Sequence, residues 1–313
     1  MQLIMEEFIP IHIPVLKDEI LSFLNKLEPK DNYWFLDGTA GEGGHSSLIL
    51  NAFPNSKLIL LDRDEEMLGR ATKRLEEFKD RIHPVLTNFS EITREEILKI
   101  TVNQEIDGLI LDLGISTYHI MSSGRGFTYR EDEYLDMRLE KTNRLTAFEV
   151  VNRYSQKDLF RIFKEYGEEN WSKKIAEVLV DVRKKQKIQT TGELAKLIER
   201  IIPRKFWPDK MHPALRIFQA LRIEVNNELK SIAEGLPELS KVVSPGGIMS
   251  VISFHSLEDR IVKNFMKSKS LQKDFVILTK KPIIPTEPEM KANPASRSAK
   301  LRAIQRISTR GNS

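Results

Sequence analysis

The chain has 313 residues, 40% of them apolar and 30% charged, which suffices for one large domain or two smaller ones with a real core. It contains no cysteine, which excludes a disulfide framework, a thiolate nucleophile and a zinc–thiolate site, and fits a reducing compartment. Net charge is only +4, yet Arg260–Ser313 holds 13 Lys+Arg against 3 Asp+Glu, or +10, leaving −6 for the rest; a basic end on a near-neutral body suits either a polyanion partner or a solvated face.

The opening "MQLIMEEFIPIHIPV" lacks the basic start and long apolar run of a secretory signal, and no run approaches the roughly eighteen apolar residues that span a bilayer. The expectation is a soluble cytoplasmic protein. The first third then alternates strand and helix patterns. "YWFLD" (33–37) is an apolar run ending in an acid, and "GHSSLILNAF" (44–53) reads as a helix. "KLILLDRD" (57–64) is a second buried strand closing on acids, followed by "DEEMLGRATKRLEEFKD" (64–80), a helix with acids in its first turn where the dipole favours them. "IHPVLTNF" (82–89) is a weaker third strand, "REEILKI" (94–100) a short helix, and "IDGLILDLG" (106–114) a fourth buried strand. Apolar strands separated by helices predict a parallel sheet covered on both faces.

From 115 to about 212 the patterns are helical. Ser155-x-x-Asp158 and Thr190-x-x-Glu193 have capping-box spacing. A long helix is predicted from about Pro213 through "LRIFQALRIEVNNELKSIAEGL". Strands return at "PGGIMSVISFHS" (245–256) and "DFVILTK" (274–280), with the helix "LEDRIVKNFMKS" between them, and "KLRAIQRIS" (300–308) is a candidate last strand. "KKPIIPTEPEMKANPASRSAK" (280–300), with four prolines, reads as a loop. The expected architecture is a doubly wound, mostly parallel α/β sheet: residues 1–114 as its first part, 115–212 as an all-helical insertion for substrate recognition, and 213–313 as its second part with a basic tail.

Ligands of such sheets sit beyond the carboxyl ends of the strands. "DGTAGEGGHS" (37–46) lies there, with Gly38, Gly41, Gly43 and Gly44 opening a helix whose free N–H groups attract polar groups. A nucleoside triphosphate fits poorly, because the loop lacks Gly-Lys-Ser/Thr; a dinucleotide fits poorly, because Gly41-x-Gly43-x-x-Ser46 fails at the third glycine. S-adenosylmethionine fits, since Asp37-Gly38-Thr39-Ala40-Gly41-Glu42-Gly43 follows the spacing acid-x-[GT]-x-G-x-G. Asp62 closes the second strand where an acid accepts bonds from both ribose hydroxyls, a feature that dinucleotide enzymes share.

The fourth strand ends "LILDLGIST", with Asp112 at its tip. The amine of cytosine or adenine is a poor nucleophile, because its lone pair is delocalised into the ring. An acceptor that takes the amine hydrogens draws the nitrogen toward a tetrahedral shape, and positioning in line with a sulfonium methyl supplies much of the rate. No thiolate is needed. Asp112 alone also suits a turn or helix cap.

At this point the chain resembles a known family. "HIPVL" (12–16), "DGTAGEGGHS" (37–46), "DLGIST" (112–117), "RGFTY" (125–129), "LDMR" (135–138), "YGEE" (166–169), "FQALRIEVNNEL" (218–229), "SFHSLEDRIVK" (253–263) and "RSAKLR" (297–302) match, in order and over nearly the whole chain, the small-subunit ribosomal RNA cytosine-N4 methyltransferases of the RsmH or MraW type. The resemblance implies a class I methyltransferase sheet with a helical insertion. It also implies methyl transfer from S-adenosylmethionine to N4 of a cytidine in the decoding region of 16S ribosomal RNA. No metal is expected. Its cofactor contacts fall on Gly43, Gly44, His45, Asp62, Phe89 and Asp112, with Asp37 at the head of the loop; where the family commonly has Gln, this chain has His119.

Ser253, Phe254 and His255 are the candidates to meet the target base, with Ser253 and His255 joining Asp112 as catalytic candidates; a flipped cytosine wants an apolar wall and donors to its Watson–Crick edge. Ser256 and Asp259 have the spacing of a helix cap. Arg125 and Arg138 suit either phosphate or ion pairs with Glu131, Asp132 or Asp136. "PRKFWPDKMHPALR" (203–216) interleaves Arg204, Lys205, Lys210 and Arg216 with Phe206 and Trp207, as RNA contact requires, although Trp207 equally suits the interior. Arg297, Lys300, Arg302 and Arg306 are candidate phosphate contacts. Two rivals stand beside the methyltransferase: a nicotinamide oxidoreductase in the same crevice, and a non-catalytic RNA-binding ribosome assembly factor.

Overall fold

In the computed structural model, residues 13–207 and 211–308 are described. Seven strands, β1 Trp34–Asp37, β2 Lys57–Asp62, β3 Ile82–Leu86, β4 Ile106–Asp112, β5 Val243–Ser253, β6 Phe275–Ile277 and β7 Lys300–Arg306, form one sheet in the order β3-β2-β1-β4-β5-β7-β6. Strands β1 to β5 are parallel; β7 runs antiparallel to both β5 and β6. Every residue of β1 is buried, as a central strand covered on both faces must be. This is the class I methyltransferase architecture.

Helices α1 Lys17–Leu24, α2 Gly44–Ala52 and α3 Glu65–Arg74 pack on one face through Ile20, Leu24, Ile49, Leu68 and Ala71. Asp64 caps α3 by accepting from the Glu66 N–H at 3.0 Å, with Glu65 and Glu66 in the first turn and Lys73 and Arg74 in the last. Helix α4 Arg94–Ile100 covers the other face.

Between β4 and β5 come α5 Thr117–Met121, α6 Ala147–Arg153, α7 Gln156–Glu165, α8 Ser172–Lys185, α9 Thr191–Ile201, α10 Leu215–Asn226 and α11 Glu228–Ser240. Ser155 caps α7 and Thr190 caps α9, as their spacing predicts. Helices α6 to α10 bury Val150, Leu159, Phe163, Ile175, Leu194 and Leu221 in a core of their own. Two further helices, α12 Ser256–Leu271 and α13 Glu287–Ala292, follow β5 and β6.

Three expectations change. The helix expected over 64–80 ends as α3 at Arg74, and a kinked 3-10 stretch follows at Glu76–Arg81. The long helix predicted from Pro213 breaks at Asn227, which is left-handed at φ 51°, ψ 33°, a conformation that Asn tolerates. The break separates two allegiances: the Ile217, Phe218 and Leu221 side of α10 joins the helical core, whereas Ile232, Leu236 and Leu239 of α11 join the sheet. The proline-rich stretch 280–300, expected as a loop, contains α13 and a 3-10 turn at Pro294–Ser298. Pro288 sits in the first turn of α13 and Pro294 opens the 3-10 turn, where a missing N–H costs nothing.

Strand order reverses direction between β1 and β4, which are hydrogen-bonded neighbours with Asp37 level with Ile110. Ligand crevices of doubly wound sheets open at this point.

Candidate active site

The glycine loop is built from behind by Asp37. Its carboxylate is buried, accepts from the Thr39 N–H at 3.1 Å and from the Ser46 hydroxyl at 2.6 Å, and does not line the cleft. Burial pushes its carboxyl upward, against the Ser46 bond and the nearby His45. Asp37 therefore organises the loop rather than facing a ligand. Gly43 is likewise a backbone residue: it is the N-cap of α2 at φ 76°, and a Cβ there would meet the Ala71 Cα of α3 at 3.3 Å. Gly44 and His45, one residue on, do line the cleft.

The tips of β1 and β4 are tied together. The Asp112 N–H donates to the Thr39 hydroxyl at 2.6 Å. At the next tip, Asp62 accepts from the Gly41 N–H at 2.8 Å and from the Asp64 N–H at 2.8 Å. Burial nevertheless lifts its carboxyl to about 6, with those two bonds opposing. Asn88 and Phe89 follow β3 into the cleft; Asn88 donates to the Ser231 hydroxyl at 3.0 Å, and the Phe89 ring packs over Gly235 of α11, where a Cβ would stand 2.7 Å from it.

Asp112 closes β4 and lines the cleft. Its Oδ2 lies 3.7 Å from His45 Nδ1, while its Oδ1 is buried with no hydrogen-bond partner. A buried carboxylate oxygen without a partner is rare and calls for a ligand. Burial raises the Asp112 carboxyl to about 6; His45 opposes the shift, and Asp37 and Glu258 add to it as like charges. His45 Nε2 donates to the Val15 carbonyl at 2.9 Å. The segment holding Val15 is pinned from the far end of the chain, since the Leu16 N–H donates to Glu289 Oε1 at 2.7 Å. The cleft so enclosed has a volume of about 330 Å³.

His119 lines the cleft, but both its nitrogens are engaged: Nε2 with Asp64 at 2.9 Å, Nδ1 with the Ser116 N–H at 3.1 Å. It braces the wall instead of offering a free contact. At the tip of β5, Phe254 and Glu258 line the cleft, while the catalytic candidates Ser253 and His255 do not. Ser253 is buried, with its hydroxyl 3.5 Å from the Lys300 carbonyl of β7. His255 is the N-cap of α12, accepting from the Glu258 N–H, with Glu258 returning the bond; the cap predicted at Ser256 lies one residue earlier. Glu228, His255 and Glu258 bring three ligand-type atoms within 4.8 Å of one another, and the Arg222 guanidinium is bound to Glu228 through Nε at 2.9 Å and Nη2 at 3.0 Å.

The basic candidates divide by burial. Arg125 is 8% exposed and bridges Asp64 at 2.5 Å and Glu66 at 2.8 Å, so it holds the start of α3 and is not an RNA contact. His119 and Arg125 together hold the Asp64 carboxyl down to about 2 against its burial. Arg138 is saturated by Asp136 at 2.7 and 2.8 Å and by the Lys141 and Asn143 carbonyls. Arg302, also 8% exposed, forks onto Asp259 at 2.7 and 3.1 Å, with Lys300 at 4.0 Å from the same acid. Arg306 points inward to Glu105 and the Val243 carbonyl. Arg204 and Lys205 are exposed beside half-buried Trp207 and exposed Phe206, with the Arg204 guanidinium 4.1 Å from the Trp207 ring centre. Trp207 Nε1 donates to the Ile202 carbonyl at 2.8 Å. Arg216 donates to the Glu168 carbonyl at 3.3 Å, and Arg297 is exposed next to Ser298, which lines the cleft. Lys210 and His12 lie outside the described residues.

A sequence model of the MraW methylase family matches residues 10–307. The chain belongs to that family. Among curated MraW relatives, ribosomal RNA small subunit methyltransferase H of Leptospira borgpetersenii serovar Hardjo-bovis (strain JB197) is 55% identical over 298 residues, covering 95% of this chain and 94% of that one. The protein of the same name from Sulfurihydrogenibium sp. (strain YO3AOP1) is 48% identical over 296 residues, covering 95% and 99%. A methylase needs a methyl donor, and S-adenosylmethionine fits the residues present: an acid at a ribose position, an open loop at a helix start, and the partnerless Asp112 oxygen beside it. Thr39, Asn88, Arg222, Glu228 and Glu258 also line this MraW cleft without having been singled out in the sequence. Four of them stand inside quoted motifs, Thr39 in 37–46, Arg222 and Glu228 in 218–229 and Glu258 in 253–263; Asn88 stands in none. Among the described residues no helix is long and apolar enough to cross a membrane.

Proposed function

We propose that this protein transfers a methyl group from S-adenosylmethionine to N4 of a cytidine in the decoding region of 16S ribosomal RNA, within the small subunit and in the cytoplasm. The observation that carries the reading is the buried, partnerless Oδ1 of Asp112 at the tip of β4, next to the glycine loop. The names of the relatives support ribosomal RNA as the substrate class.

Bound S-adenosylmethionine supplies an electrophilic methyl on a sulfonium. Asp62 accepts the ribose hydroxyls, Phe89 walls the adenine side, and Gly44 and His45 present backbone N–H groups at the start of α2. Asp112 accepts a hydrogen from the cytosine amine through Oδ1, which aims the nitrogen lone pair; after transfer it takes the proton that the amine sheds. Phe254 offers the apolar wall for the extruded base. The helical unit α6 to α10 is the substrate-recognition part, with Arg204, Lys205, Trp207 and Arg216 on its surface. Arg297 at the mouth of the cleft meets the RNA backbone, and Lys300, half exposed, adds to the same field.

The test is mass-spectrometric mapping of methylated cytidine in 30S subunits incubated with the protein and labelled cofactor. Modification at one cytidine, absent with Asp112→Ala, is the expected result. A protein that leaves the RNA unmodified but still serves subunit assembly would be a binding factor.

A further inference from the structure

Two residues of "FQALRIEVNNEL" (218–229), Arg222 and Glu228, enter the cleft from the insertion side. They flank the left-handed break at Asn227, which turns the end of α10 and the start of α11 toward each other. Glu228 clamps the guanidinium from one side, taking Nε at 2.9 Å and Nη2 at 3.0 Å. Nη1 has no hydrogen-bond partner among the described residues. The side chain is only 19% exposed, and what it lines is the cleft. Glu258, whose Oε2 is already committed to the Phe254 N–H at 2.8 Å and the His255 N–H at 3.2 Å, is close enough to bear on the ionisation of both Arg222 and Asp112. The cleft therefore holds a fixed acceptor, Asp112, and a fixed cationic donor, Arg222, around the tips of β4 and β5, with the Phe254 ring between strand and helix.

That pairing matches one base edge. Cytosine offers a donor at N4 and acceptors at N3 and O2. Uracil reverses the first two, setting a carbonyl against the carboxylate and an N–H against the guanidinium; adenine has nothing at the place of O2. We propose that Arg222 is the specificity-determining donor of the target-base subsite, giving its Nη1 hydrogens to the N3/O2 edge of cytosine while Asp112 holds N4. Glu228 is its positioning residue. The inference rests on cytosine N4 being the methyl acceptor. A site built around such fixed polar groups rejects a base that leaves them unpaired, and a planar fork held on two of its nitrogens is preorganised in a way that a lysine is not.

The experiment is single-turnover methyl transfer to 30S subunits reconstituted with 16S RNA carrying cytidine or 2-thiocytidine at the modified position. Arg222→Gln and Arg222→Lys are each expected to slow transfer roughly 100-fold, with cofactor and subunit affinity changed less than about threefold. The 2-thio substitution, which weakens the acceptor at position 2, is expected to slow the native protein about tenfold and Arg222→Gln not at all, because coupled partners show non-additive effects. Glu228→Gln should lie between the native protein and Arg222→Gln. Native rates in Arg222→Gln, an equal response of both proteins to the thio base, or a loss confined to cofactor affinity would each overturn the assignment. Should Arg222→Gln fail to fold by circular dichroism, Arg222→Lys, which keeps the charge opposite Glu228, carries the same comparison. A native protein that methylates no cytidine at all defeats the functional reading and this inference with it; methylation by a native protein indifferent to Arg222 defeats only the latter.

Discussion

His45 Nδ1 lies 3.7 Å from Asp112 Oδ2, while His45 Nε2 donates to the Val15 carbonyl at 2.9 Å. The carbonyl accepts the hydrogen on Nε2, which leaves Nδ1 directed toward the carboxyl group. His45 thus stands beside Oδ2, and Oδ1 of Asp112 stays buried without a partner.

Asp112→Asn keeps the side-chain shape but cannot take up a proton. Methyl transfer is expected to fall by about 10²- to 10³-fold, the range for a positioned base, with cofactor affinity changed only a few-fold. Single-turnover rates and calorimetric titration check both halves. A variant that retains the native rate removes Asp112 from the chemistry.

Acidification should switch the enzyme off through the same group. Burial raises the Asp112 carboxyl to about 6, so its ionised, accepting form grows as pH rises through about 6. The transfer rate at saturating cofactor is expected to climb through that range and then level off. In Asp112→Asn the climb should vanish.

Cofactor binding has its own pH dependence through Asp62, also raised to about 6 by burial. A carboxyl raised in the fold favours the folded state below its unfolded value near 3.8, and that contribution is lost as pH rises through about 6. The ribose hydroxyls need the ionised form as acceptor. The ligand-free protein should therefore gain least from its own Asp62 above pH 6, where cofactor binds best. The cofactor-induced rise in melting temperature is expected to be larger at pH 7.5 than at pH 5.5; the opposite order would separate Asp62 from the ribose.

Arg125 serves stability rather than RNA. Its guanidinium bridges Asp64 and Glu66 with side-chain exposures of 9%, 3% and 33%. Arg125→Ala leaves buried Asp64 with only His119 and the Glu66 N–H as partners, and chemical denaturation is expected to show a loss of about 3–5 kcal/mol, the cost of breaking a buried pair from one side. RNA affinity per folded molecule should not change.

Arg204, Lys205 and Arg297 should behave in the opposite way. Alanine at any of these exposed positions is expected to leave the melting temperature unchanged and to weaken RNA binding across sequences. The slope of log affinity against log salt should fall by about 1 for each phosphate contact removed. A salt slope equal to the native one at all three positions moves the RNA path elsewhere on the surface.

All seven strands were legible, β1, β2 and β4 most plainly as apolar runs, because a strand buried on both faces has no polar period to confuse it. The acids that end β1, β2 and β4 stood out for the same reason: Asp37, Asp62 and Asp112 interrupt apolar sequence where each of these strands ends. The break at Asn227 was not legible, since "EVNNEL" continues a helical pattern on both sides and only the two different cores facing α10 and α11 require the turn.

Sequence by itself determined the sheet, the glycine loop and the acid at each tip, because these follow from local spacing and burial. Tertiary structure alone decided which cations are free. Arg125 finds its acids some sixty residues away, and Arg302 on β7 finds Asp259 on α12, pairings that no local pattern encodes. It also decided that Phe254 and Glu258, not Ser253 and His255, face the cleft, because the strand hands over to a helix at that point and side-chain direction is set by the cap geometry of His255.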